Sequence, residues 1–162
     1  MLKRSDEVDA TLEAIAREAS KADLSGQVVA VTGSTRGVGL AVAGAFASAG
    51  AKVVLNGRST ETLERAVAEI RGSGGSASGV EADISREEGA RKLIDGTLAV
   101  HGRLDILVNN AAVLGPARKN LWEIEPKEWR DTIEVNVTGS FLCARLAVDW
   151  MRRNGVPGRI IN

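Results

Sequence analysis

Three glycines, Gly33, Gly37 and Gly39, stand between the apolar run 28–31 and a helical stretch at 40–49. A continuous apolar run of this kind is typical of a parallel strand that is buried on both faces. A glycine turn between strand and helix lets the backbone approach a ligand, and the first amides of the helix attract a phosphate. The spacing differs from the common Gly-x-Gly-x-x-Gly fingerprint. The stretch therefore predicts a phosphate site, and a turn without a ligand is the alternative.

The elements that position this turn alternate along the chain. Helices are predicted at 37–49, 60–71, 86–100 and 126–153, and strands at 27–32, 52–56, 77–82, 104–109 and from 158 onward. This alternation predicts an α/β fold, a doubly wound parallel sheet of the Rossmann type that stops within its fifth strand. Ligands of such sheets bind beyond the carboxyl ends of the strands, so we expect the functional residues there.

An amphipathic helix at 5–22 is predicted before the sheet begins. Its apolar stripe has steps of four and three and consists of Val8, Leu12, Ile15, Ala19 and Ala22. We interpret residues 1–24 as an extension whose helix packs on the outside of the domain, with a dimerisation helix as the alternative. Residues 25–162 are expected to form one nucleotide-binding domain that is incomplete at its C-terminal side.

The composition limits the possible functions. The chain carries 21 basic and 21 acidic residues, with no long block of either sign, which gives no support to nucleic-acid or membrane binding. The single cysteine, Cys143, fits a reducing compartment, and the acidic N-terminal stretch does not resemble a signal peptide. We expect a cytoplasmic, soluble protein and assign no metal-binding residue.

The end of the second strand indicates which cofactor is bound. An enzyme that binds a free ribose 2′-hydroxyl usually has an Asp or Glu there, whereas this chain reads Asn56-Gly57-Arg58-Ser59. Arg58 and Arg36 can both make charge-assisted contacts to a 2′-phosphate. The pattern predicts NADP, with NADPH preferred over NADH. For Arg58 considered alone, a solvated surface arginine is the alternative.

The third and fourth strand ends complete the expected site. Asp83 offers an acceptor to the adenine amino group and Ile84 an apolar wall, although Asp83 could equally be the acid at the start of the next helix. After the fourth strand, Asn110 places a polar group under the central ribose, and Ala111 and Ala112 keep that surface small.

Several spaced motifs together resemble the short-chain dehydrogenase/reductase family. They are Thr32-Gly-Ser-Thr-Arg-Gly-Val-Gly39, Asp83-Ile84, Asn109-Asn-Ala-Ala112 and Asn136 within Glu-Val-Asn-Val, and the similarity runs from about residue 24 to 162. The resemblance implies an NADP-dependent oxidoreductase of a small carbonyl or alcohol substrate, most like 3-oxoacyl-carrier-protein reductases and sugar-alcohol dehydrogenases. The expected cofactor-binding residues are Gly33, Ser34, Thr35, Arg36, Gly37, Val38, Gly39, Asn56, Arg58, Ser59, Asp83, Ile84, Asn110, Ala111 and Ala112.

The same resemblance gives Asn136 a catalytic role. It implies that Asn136 holds a water of the proton relay and lies at an irregularity in the long helix. The family's next elements carry a serine and a Tyr-x-x-x-Lys motif, but this sequence contains no tyrosine. His101 belongs at the opposite end of the sheet, and Cys143 is interpreted as a small buried residue, so neither replaces the missing acid.

Three hypotheses for the function remain open at this stage. The chain is the cofactor-binding part of an oxidoreductase, a nucleotide-binding module without chemistry, or a truncated product without function. The long helix also carries more apolar side chains than one face can bury, namely Phe141, Leu142, Leu146, Val148, Trp150 and Met151. We therefore expect a homo-oligomer or a self-associating chain.

Overall fold

Five parallel strands form one sheet at the centre of the computed structural model, which describes residues 22–116 and 119–162. The sheet order is β3-β2-β1-β4-β5, so the chain starts in the middle and crosses over to the other half after β3. The strands are β1 (Val28–Val31), β2 (Lys52–Gly57), β3 (Ser76–Glu81), β4 (Ile106–Val108) and β5 (Arg159–Ile161). This arrangement confirms the predicted parallel α/β fold.

Within the described residues, five α-helices connect and cover the strands. They are α1 (Gly37–Ser48), α2 (Thr60–Gly72), α3 (Glu87–His101), α4 (Pro126–Ile133) and α5 (Ser140–Arg153). A π-helical turn, Glu134–Gly139, joins α4 to α5, and a short 3₁₀ turn, Leu121–Glu123, precedes α4. The single long helix predicted at 126–153 therefore has an irregular turn in its middle, at the place the family resemblance implies.

The sheet separates two hydrophobic clusters. Val28 and Ala30 of β1 face the cluster under α3 and α5, whereas Val29 and Val31 face the cluster under α1 and α2. Because successive side chains of a strand point to opposite faces, both sets of positions must be apolar. This double burial explains the unbroken apolar run that precedes the glycine turn.

Asp105 links three strands at the amino end of the sheet. Its carboxylate accepts a 2.8 Å hydrogen bond from the Val28 amide and another from Nε of Arg103. Its main chain pairs with Val28 and with Arg159 of β5. The regular part of β4 is three residues long, shorter than the predicted 104–109, and Asp105 makes its strand-linking contacts just before it.

Ser59 occupies the N-cap position of α2, but its side chain makes no capping hydrogen bond. The predicted helix at 5–22 lies outside the described residues, apart from its last position. None of the helices in the described part of the chain is long and apolar enough to cross a membrane.

Candidate cofactor site

A cleft of about 540 Å³ lies beyond the carboxyl ends of the central strands. Four segments meet there: the glycine turn after β1, the end of β2, the end of β3 and the loop after β4. The lining residues are Gly33, Thr35, Arg36, Gly37, Val38, Gly39, Asn56, Gly57, Arg58, Ala82, Asp83, Ile84, Asn110, Ala111, Ala112, Val113, Leu114 and Val135. The fold thus brings together most of the residues predicted to bind a dinucleotide, but Ser34 and Ser59 are not among the lining residues.

The three glycines of the turn have different physical roles. A Cβ on Gly33 would lie 2.7 Å from the Cα of Ala111, and one on Gly39 would lie 2.4 Å from Nδ2 of Asn110. These two glycines let the turn pack against the loop after β4. Gly37 has a φ of +57° and no atom within 4 Å of the position of a Cβ. Its left-handed backbone conformation, rather than a close neighbour, therefore favours glycine at this position.

Thr32 and Asn110 fix the glycine turn to the loop after β4. The hydroxyl oxygen of Thr32 accepts hydrogen bonds from the amides of Asn110, at 3.0 Å, and Ala111, at 2.9 Å. In return, Nδ2 of Asn110 donates to the carbonyl oxygens of Thr32 and Gly33. The side-chain donor of Asn110 is therefore used within the protein. Nothing in the sequence indicated that Thr32, at the end of an apolar run, accepts hydrogen bonds from the loop after β4.

The side chains of Ser34 and Asn56 are also used within the protein. Ser34 is fully buried, donates to the carbonyl oxygen of Val31 and accepts from the amide of Asn56. Asn56 is 2% exposed, and its side-chain amide forms hydrogen bonds with main-chain groups of neighbouring segments. Both residues were predicted to bind the cofactor, and in the structure their side chains connect the elements that form the cleft.

Arg36 and Arg58 lie on the cleft from two different strand ends. Both side chains are exposed, and both residues line the cavity. Positions 56–59 contain no carboxylate, and the last residue of β2 is Gly57. A Cβ on Gly57 would lie 2.4 Å from Cγ2 of Thr35, so the methyl group of Thr35 occupies the space of a side chain there. The positive charges of Arg36 and Arg58 at this end of the cleft favour the binding of an anion.

Asp83 and Ile84 form the wall after β3. One carboxylate oxygen of Asp83 accepts hydrogen bonds from the amide and the hydroxyl of Ser85, which leaves its second oxygen for another donor. Asp83 also borders a second cavity, of about 710 Å³, together with Arg58 and Arg86. Ile84 is buried against Gly139 and is also among the residues that line the cleft.

Asn136 lies in the π-helical turn and faces the loop after β4. Its Oδ1 accepts from the Val113 amide at 2.9 Å, and its Nδ2 donates to the Val113 carbonyl at 3.1 Å. The main-chain carbonyl of Asn136 accepts from the hydroxyl of Ser140. Val113 and Val135 also line the cleft but were not predicted as site residues. They directly adjoin Ala112 and Asn136 in the sequence, and this adjacency could have identified them.

Neither His101 nor Cys143 belongs to the cleft. Burial raises the pKa of the Cys143 thiol to about 12, so this thiol is an inert apolar group at neutral pH. His101 is the last residue of α3, and its Nε2 lies 3.0 Å from the hydroxyl of Ser78. Helices run opposite to the strands in this fold, so His101 lies away from the carboxyl ends.

A family model for short chain dehydrogenases matches residues 27–162. The chain belongs to the short-chain dehydrogenase family. Glucose 1-dehydrogenase 2 of Bacillus subtilis is 40% identical over 145 residues, which are 86% of this chain and 54% of that protein. The 3-oxoacyl-[acyl-carrier-protein] reductase of Synechocystis is 39% identical over 140 residues, which are 86% of this chain and 56% of that protein. The chain thus spans slightly more than half the length of these relatives.

Solved structures of short-chain dehydrogenases have the same fold. A metagenomic short-chain oxidoreductase in complex with NADP superposes with a TM-score of 0.80 at 40% identity, covering 87% of this chain and 63% of that one. A short-chain dehydrogenase/reductase from Mycobacterium marinum gives a TM-score of 0.81 at 32% identity, covering 90% of this chain and 57% of that one. These comparisons confirm the family that the sequence motifs indicated and support a nicotinamide cofactor.

Proposed function

We propose that this chain supplies the NADP(H)-binding part of an oxidoreductase that interconverts a small carbonyl compound and its alcohol. One observation carries the choice of cofactor: two arginines, Arg36 and Arg58, line the end of the cleft where β2 stops, and positions 56–59 contain no carboxylate. A 2′-phosphate gains charge-assisted hydrogen bonds from guanidinium groups, whereas a carboxylate at this place would repel it. The NADP bound to a solved relative at 40% identity supports the same choice.

The residues of the cleft fit the parts of this cofactor in order. The first amides of α1 and the open space at Gly37 receive the pyrophosphate, and Asp83 and Ile84 border the adenine. Ala111 and Ala112 leave room for the ribose next to the nicotinamide. Bound NADPH supplies the hydride, and the protein must hold the carbonyl beside it and protonate the alkoxide.

We infer that the group that protonates the alkoxide lies outside these 162 residues, because the sequence contains no tyrosine. Asn136 is proposed to hold a water of the proton relay through its main chain, since its side chain is used on Val113. Purified chain free of contaminating reductase should bind NADPH but not oxidise it with a 3-oxoacyl or simple ketone substrate. Robust turnover by the chain alone would overturn this part of the proposal.

A charge reversal at Arg58 tests the proposed function. Arg58→Asp should weaken NADPH binding and make NADH the tighter ligand, because it removes a cation and adds the acid that a free 2′-hydroxyl prefers. Arg152→Asp is the matched control, because Arg152 is exposed near the end of α5 and away from the carboxyl ends of the strands. Calorimetric titration should show an unchanged NADPH to NADH ratio for this control, and an unchanged ratio for Arg58→Asp would refute the assignment.

We also infer a reducing, cytoplasmic location for the protein. Its one cysteine is buried and forms no disulfide within the chain.

A further inference from the structure

We propose that Asn56 is a positioning residue that fixes the distance between the two walls of the adenosine half of the cleft. This inference rests on the proposed NADP(H) function and adds a specific residue to it. One wall is the glycine turn after β1, and the other is the segment 82–84 after β3. The side chain of Asn56 stands between them at the end of β2.

The side-chain amide of Asn56 is matched atom by atom to these walls. Its Oδ1 accepts from the Gly33 amide at 3.3 Å, and its Nδ2 donates to the carbonyl oxygens of Val80, at 3.2 Å, and Ala82, at 3.0 Å. An asparagine side chain offers one carbonyl acceptor and two N–H donors. The three hydrogen bonds therefore use the side-chain oxygen and nitrogen of Asn56 on main-chain groups of both walls. At 2% exposure, water cannot replace these partners.

Two of these three partners, Gly33 and Ala82, lie next to residues that would meet the cofactor. Gly33 opens the turn that approaches the pyrophosphate, and Ala82 directly precedes Asp83 and Ile84 at the adenine. The ladder between β1 and β2 ends at the pair Val31–Leu55, and the ladder between β2 and β3 ends at Gly57–Glu81. Main-chain hydrogen bonds also join each wall separately to β2, from the Ser34 amide to Asn56 and from the Ala82 amide to Gly57. The Asn56 side chain adds one group that bonds to both walls, so it can set the width of the cleft.

The other end of the same sheet offers a matched comparison. Asp105 also carries a buried polar side chain that joins neighbouring segments, but it does so at the amino ends of the strands. A residue that merely stabilises the fold should behave alike at both ends. A residue that positions the adenosine site should change ligand affinity at the carboxyl end only.

The test measures the affinity for 2′,5′-ADP, the adenosine half of NADP, by calorimetry of the purified full chain. Asn56→Leu keeps the approximate shape and neutrality of the side chain but removes the side-chain hydrogen bonds of the Gly33 amide and of the Val80 and Ala82 carbonyls. We expect the dissociation constant to rise about tenfold, since unsatisfied buried groups relax by moving the walls. Asn56→Ser is the second neutral variant, for the case that the leucine variant does not fold. The control Asp105→Asn should lower the melting temperature and leave the affinity within about twofold.

The outcomes separate this inference from the proposed function. A lower melting temperature with unchanged affinity in the folded Asn56 variants would overturn the positioning role. Equal losses of affinity in Asp105→Asn and the Asn56 variants would also overturn it, because that pattern reports general destabilisation. If the unmutated chain binds 2′,5′-ADP and the folded Asn56 variants bind it equally tightly, only this inference fails. If the unmutated chain binds neither 2′,5′-ADP nor NADPH, the proposed function itself is wrong.

Discussion

Asn136 and Val113 hold each other by two hydrogen bonds, one in each direction between a side-chain amide and a main-chain peptide group. Asn136 belongs to the π-helical turn between α4 and α5, and Val113 belongs to the loop that follows β4. The pair ties the wall of the cleft to the long helix. Thr32 and Asn110 fix the beginning of this loop, and the Asn136 side chain holds it further along, at Val113.

The first prediction concerns this pair. Asn136→Ala should speed the hydrogen exchange of the Val113 amide by about fivefold or more, because this amide loses its acceptor and the loop can open locally. Asn154→Ala is the control, since Asn154 is an exposed asparagine whose amide only contacts the carbonyl of Trp150. Unchanged exchange at Val113 after the Asn136 substitution would show that other contacts hold the loop.

The second prediction concerns the contact between Thr35 and Gly57. Gly57→Asp places a carboxylate where it could meet a ribose 2′-hydroxyl, but its Cβ falls 2.4 Å from Cγ2 of Thr35. The single substitution should reduce the free energy of unfolding by about 1–3 kcal/mol, because overpacking forces the neighbour to move. Adding Thr35→Ala should restore part of this loss and allow NADH to bind.

A double-mutant cycle by thermal unfolding measures this coupling. Gly72→Asp is the control for the general cost of such a change, because a Cβ at Gly72 has nothing within 4 Å. Additive effects of Thr35→Ala and Gly57→Asp would contradict the predicted contact.

The third prediction concerns His101 and pH. Burial and the nearby charge of Lys52 lower the pKa of His101 from its usual 6.5. The unfolded chain therefore binds a proton at a higher pH than the folded chain. The contribution of the neutral His101 to the free energy of unfolding is fully present above about pH 6.5 and is lost as the pH drops through the folded pKa. Urea unfolding between about pH 5 and 8 should show that the free energy of unfolding falls less on acidification for His101→Gln than for the unmutated chain. An identical pH dependence of both proteins would contradict this account.

The fourth prediction concerns self-association through the long helix. Val137, Phe141 and Val148 share one face and are 57%, 62% and 49% exposed. Exposed apolar residues in register on one helix favour contact with another protein surface. Gel filtration with light scattering at micromolar concentration should show species larger than a monomer, and Phe141→Asp should reduce them. Val100→Asp, at an equally exposed site on α3, should leave the amount of these larger species unchanged. A stable monomer before substitution would rule the interface out.

The sequence predicted the order of the elements because β1, β2 and β4 contain apolar runs and α2, α3 and α5 each have an apolar face. It also predicted that the glycine turn, Arg58 and Asp83 would meet at one cleft, since parallel strands end at the same edge. The roles of Asn56 and Asn110 were not predictable in the same way. Their side-chain partners, such as Ala82 and Thr32, are 26 and 78 positions away, so only the register of the strands identifies them.

The clearest test of the proposed function is the affinity of the unmutated chain for NADPH and for NADH, measured by calorimetry under identical salt. With Arg36 and Arg58 at the 2′-phosphate, NADPH should bind more tightly by about 1–3 kcal/mol, roughly five- to 150-fold. Higher salt should reduce this difference, because it screens the charges. Equal affinities, or tighter binding of NADH, would contradict the account.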